Sequence, residues 1–83
     1  MYLNAGNEEI PKKNIIGVFD LDTATVSKKT RDFLAQAEKE GRVTLLTYDL
    51  PRSFILTVEN GEQKIYLSSY STATLLSRAG EYY

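Results

Sequence analysis

Apolar positions along this chain change their period several times, and each change predicts an element. Ile15 to Leu21 is a continuous run rich in β-branched and aromatic residues, which reads as a strand. Two shorter strands precede it. Tyr2–Ala5 is followed by a Gly6-Asn7 turn signal, and Glu8–Ile10 is stopped by Pro11, which has no amide to donate. Over residues 22–41 the pattern becomes helical, with Val26, Thr30, Phe33, Leu34 and Ala37 building one apolar stripe. Asp22, Thr23 and Thr25 are competent N-caps, and Gly41 stands where a left-handed residue would end the helix.

Arg42 to Tyr48 is a further strand, broken by Asp49-Leu50-Pro51-Arg52. Ser53–Val58 and Gln63–Ser68 flank Asn60-Gly61, a dipeptide suited to a type I′ hairpin turn because both central residues need positive φ. Tyr48 and Tyr66 fall in these strands and are expected in the core or on the sheet surface. Ser71 caps a short helical stretch to Arg78, and residues 79–83 read as a frayed tail. The expected fold is α+β: a small mixed sheet of about five strands with one main helix and a short C-terminal helix, in the order β(β)β-α-β-β-β-α.

The 83 residues make a single domain, 1–83, with a core near the lower limit for independent stability. Disulfides, metals and self-association are the usual supplements to so small a core. The chain has neither Cys nor His, and its carboxylates are scattered, so no cofactor and no metal are expected. Self-association is the supplement left, and a homo-oligomer is expected. No apolar run approaches the roughly 20 residues that span a bilayer, and residues 1–10 lack a secretory pattern. The expected location is therefore the cytoplasm, with no membrane partner.

Asp20-Leu21-Asp22-Thr23 at the end of an apolar strand has the look of the paired carboxylates of haloacid-dehalogenase-like phosphatases. There the first Asp attacks phosphorus and the second serves the leaving oxygen as acid and base. That chemistry also needs a later acidic pair for Mg²⁺ and a longer parallel sheet. Downstream, only Asp32 and Asp49 follow, far apart. Turn and capping roles for Asp20 and Asp22 are the simpler reading. With the usual general base and thiol absent, neither an enzymatic activity nor a small-molecule substrate is expected.

Net charge is −1, without the basic surplus of a typical nucleic-acid binder, so any such contact must come from a local patch or from several subunits together. Lys28, Lys29 and Arg31 open the main helix while Glu38 and Glu40 close it, the reverse of what the helix dipole favours. A Lys28–Asp32 pair on a solvated face is the plain account of this cluster, and a phosphate site is the functional one. Lys12, Lys13 and Arg52 lie in predicted loops.

The run from Asn14 through Ile15-Ile16-Gly17-Val18-Phe19-Asp20-Leu21-Asp22-Thr23 to Thr25-Val26-Ser27-Lys28, Thr30-Arg31 and Phe33-Leu34 carries a resemblance. Agreement continues through Leu50-Pro51-Arg52-Ser53-Phe54, Tyr66-Leu67-Ser68 and Ser71, Ala73-Thr74-Leu75. This colinear set resembles the RemA/RemB family of extracellular matrix regulatory proteins of spore-forming Gram-positive bacteria. The resemblance implies a small α/β protomer, assembly into a ring, binding of double-stranded DNA across the ring surface, and control of biofilm matrix operons. DNA-binding members carry an Arg before the Ile-Ile strand and an Arg pair after a Tyr-Gly step. Here those positions hold Asn14 and Leu50-Pro51, with Arg52 displaced along the chain. The expected function is thus a non-enzymatic regulator of matrix gene expression, acting as an oligomer. Lys12, Lys13, Lys28, Lys29, Arg31 and Arg52 are its candidates for contacting DNA backbone phosphates. The alternative is a protein–protein interaction module that leaves DNA alone.

Overall fold

The computed structural model describes residues 1–6 and 8–79. Strands β1 (Tyr2–Asn4) and β2 (Glu9–Pro11) pair antiparallel with Leu3 opposite Ile10. A 3-10 turn over Lys12–Asn14 follows, and the chain enters β3 (Ile15–Asp20). With β4 (Val43–Leu45), β5 (Ser53–Glu59) and β6 (Glu62–Ser68), β3 forms a four-stranded sheet in the order β3-β5-β6-β4. The β3/β5 and β5/β6 pairs are antiparallel, and β4 runs parallel to β6. The architecture is α+β, as the sequence predicts. The single sheet of about five strands is corrected to two sheets, because Pro11 and the turn after it divide the N-terminal ribbon from β3.

Alternation along the strands gives the four-stranded sheet two buried faces. Ile55 and Tyr66 point to one side, where Leu3, Ile10, Leu46 and Leu75 pack on them. Phe54 and Ile65 point to the other, where Ala37, Phe33 and Leu34 meet them. The N-terminal ribbon and helix α3 (Thr72–Arg78) thus cover one face, and the helix α2 (Lys28–Lys39) covers the other. Ser53, Thr57 and Ser68 are buried with their hydroxyls donating to the carbonyls of Tyr70, Lys64 and Ala5, so the polar groups in the core are satisfied. The hairpin turn has the expected geometry, with Asn60 at φ 52° and Gly61 at φ 80°.

The expected helix over 22–41 is in fact two. Asp20 caps α1 (Leu21–Ala24), its carboxylate accepting the Thr23 amide at 3.1 Å. A turn over 25–27 intervenes, and Ser27 caps α2. Val26 leaves the predicted apolar stripe and is 78% exposed in that turn. Gly41, at φ 75°, ends α2: its amide donates to Glu38 and that of Arg42 donates to Ala37, a Schellman motif. The Arg42 guanidinium binds the Glu40 carboxylate and the Gln63 carbonyl, tying this helix end to β6. Together with the Gln36 amide, that contact holds the Glu40 carboxyl below its ordinary pKa.

The strand expected over 42–48 stops at Leu45. The Leu46 amide still donates to Leu67, after which the chain must cross over β6 to reach β5. Tyr48, expected in the core or on the sheet, is fully exposed in this crossing, whereas Tyr66 is buried as expected. Of the predicted tail 79–83, Ala79 is instead buried and caps α3, and residues 80–83 lie outside the described residues. Asn7 of the predicted Gly6-Asn7 turn lies outside them too. No described helix is long and apolar enough to cross a membrane.

Candidate functional site

The candidate cations divide by their use within the fold. Lys12 donates from Nζ to the Ala79 carbonyl, fastening the turn before β3 to the end of α3. Lys28 pairs with Asp32 at 2.7 Å on an open helix face, the i,i+4 arrangement its spacing predicts. Arg31 reaches back from α2, its Nη1 donating to the carbonyls of Thr25 at 2.7 Å and Val26 at 3.0 Å. It thereby closes the corner between α1 and α2, a role the continuous-helix expectation hides. Lys13, Lys29 and Arg52 make no ion pair or side-chain hydrogen bond among the described residues.

These three cations do not share one place. Lys13 sits in the turn before β3. Arg52 sits beyond the other end of that strand, since its carbonyl accepts the amide of Leu21 and its neighbour Ser53 pairs with Asp20. A six-residue strand separates them by roughly 20 Å. Lys29 belongs to the Arg52 end, on a groove it lines with Phe19, Phe33 and Phe54. The fold therefore sets Lys29 and Arg52 at one end of β3 and Lys13 at the other.

The carboxylates of the strand-tip motif lie at the Arg52 end. Asp20 is committed to capping α1, and Asp22 is exposed in that helix. Among the described residues no group of three or more potential metal ligands converges.

A feature the sequence pattern did not reveal is the exposure of large apolar side chains along both borders of the main sheet. At the β3 border, Ile16 is 59% and Phe19 39% exposed. Towards the β4 border and the crossing beyond it, Leu45, Tyr48 and Leu50 stand in solvent. The Ile15–Leu21 run reads as a strand from its β-branched and aromatic residues, and its position in the sheet is at an edge. A slip in the β3/β5 register between Ile15 and Gly17 is the local cause of the outward Ile16.

No protein-family model matches the chain, and no curated protein matches it significantly.

Proposed function

We propose that the chain is a non-enzymatic, cytoplasmic regulator of extracellular-matrix and biofilm gene expression, of the kind its resemblance to the RemA/RemB family describes, and that it works as a homo-oligomer. The observation that carries this reading is the exposed apolar material on both sheet borders, Ile16 and Phe19 on one and Leu45 on the other, in a chain of 83 residues. So small a core gains from covering such surface with further copies of itself. Assembly would repeat the Lys29 and Arg52 end of β3 from copy to copy, and that repetition is how a protomer of net charge −1 could hold the backbone phosphates of double-stranded DNA.

A second reading, a protein–protein interaction module that does not bind DNA, draws support from specific contacts. Lys12 and Arg31 are spent on backbone carbonyls, and Arg52 shares its end of β3 with Asp20 and Asp22. Fluorescence anisotropy of a labelled duplex separates the two. Binding at low salt that falls steeply as salt rises, and weakens in Lys29→Ala and Arg52→Ala, supports the DNA reading. A flat titration at low salt with an intact oligomer favours the protein partner.

A further inference from the structure

We infer that the outer border of β3 docks a second copy of this chain, the two β3 strands pairing antiparallel about a two-fold axis. The inference rests on the self-association proposed above and specifies the surface that makes it. Among the described residues, β3 has a strand on its β5 side alone, so its outer backbone groups are offered to whatever lies beside it. β4, the opposite border, is three residues long and offers far less.

The surroundings of β3 suit an added strand, whose side chains fall alternately to the two faces of a sheet. Beside Ile16 and Gly17, an apolar groove of about 280 Å³ reaches Leu76 and Ala79. Beside Val18, another of about 400 Å³ runs to Thr72 and Thr23. On the α2 face, Phe19 borders the groove of about 260 Å³ that holds Phe33 and Leu56. The register slip at Ile16 leaves Gly17–Phe19 as the regular stretch that can pair symmetrically about Val18, with Ile16 of each copy opposite Asp20 of the other. With Val18 on the axis, Gly17 of each copy, covered by the Phe19 ring of its own chain, lies opposite Phe19 of the other on the α2 side.

Charge selects the occupant and the direction. Lys12 and Lys13 precede β3, and Asp20 and Asp22 stand at its end. An antiparallel pair of β3 strands brings the basic start of each against the acidic end of the other, twice by symmetry, while a parallel pair stacks like on like. One strand thus carries both halves of a self-complementary surface. Lys12 is tied to Ala79, so the exposed Lys13 and Asp22 carry this complementarity.

Sedimentation equilibrium of the purified chain at low salt, with circular-dichroism melts to confirm folding, tests the inference. Ile16→Glu is expected to raise the Kd of self-association by at least about tenfold, because it removes an apolar contact and sets a second carboxylate opposite Asp20 of the other copy. Lys13→Glu and Asp22→Lys are each expected to raise it about fivefold, and the double variant to return within about threefold of the parent. A parent that associates while its Kd ignores all these changes, or a double variant weaker than either single one, overturns the β3 interface and leaves self-association standing. A parent that remains a monomer overturns both.

Discussion

The ring of Phe19 lies over Gly17. A Cβ built on Gly17 would stand 2.7 Å from two carbons of that ring, and the same ring stacks on Phe54 with centroids 4.9 Å apart. Residues 17 and 19 share the α2 face of β3, so the glycine makes the space in which the two rings lie together. Gly17→Ala is expected to destabilise the chain by about 1 kcal/mol in urea unfolding. This is the low end for overpacking, since a ring already 39% exposed can swing outward. In the Phe19→Ala background the same change is expected to cost nothing measurable, because the clash has gone.

Tyr66 is a buried tyrosine of the sheet, and its hydroxyl donates to the Glu59 carboxylate at 3.0 Å. Burial first, and then the Glu59 hydrogen bond and charge, push its pKa up to about 12 from 10.0. The folded state therefore keeps a proton that the unfolded chain releases. This stabilising contribution is complete below pH 10 and is lost progressively as pH rises towards 12. Absorbance titration of phenolate is expected to show a late-ionising group that Tyr66→Phe removes, and Glu59→Gln should bring it down towards the ordinary value.

Arg31 and Lys28 look alike in the sequence and are used differently. Removing the Arg31 guanidinium opens the Thr25 and Val26 carbonyls at the α1–α2 corner, and Arg31→Ala is expected to cost about 1 kcal/mol. Lys28 and Asp32 form a pair with both side chains mostly in solvent, and Lys28→Ala is expected to change stability by less than about 0.5 kcal/mol. Chemical denaturation of the two variants checks the contrast. Equal losses would contradict the corner role of Arg31.

Asp20 caps α1, so Asp20→Ala is expected to cost about 1 kcal/mol while Asp20→Asn, also a good cap, costs little. Neither variant is expected to alter release of phosphate from a phosphate ester in the presence of Mg²⁺, which should not exceed the buffer rate in the parent protein. Magnesium-dependent turnover abolished by Asp20→Asn would revive the phosphatase reading of the strand tip.

Much of the fold was legible where a local rule has one solution. Asn60-Gly61 dictates the hairpin, Gly41 dictates the end of α2, and Ser71 caps α3 through the amide of Thr74. What was hidden depends on partners distant in sequence. The break at 25–27 was masked because Val26 continues a helical apolar period, and the contact that fixes the turn comes from Arg31. The separation of the N-terminal ribbon, and β4 running beside β6, are choices of strand partner that composition does not encode. Among the candidate cations, sequence marked charge but not occupation: Lys12 and Arg31 look available and are bound to carbonyls within the chain. The apolar run of β3 announced a strand, and its place at the border of the sheet emerged only from the topology.

Multi-angle light scattering of the purified chain over a wide concentration range, at low salt, with and without a DNA duplex, tests self-association most directly. The account predicts a homo-oligomer in the absence of DNA, and on the DNA reading a further mass increase with the duplex that disappears as salt is raised. A folded protein that keeps the 9.4 kDa mass of one chain at every concentration, with or without DNA, would contradict it.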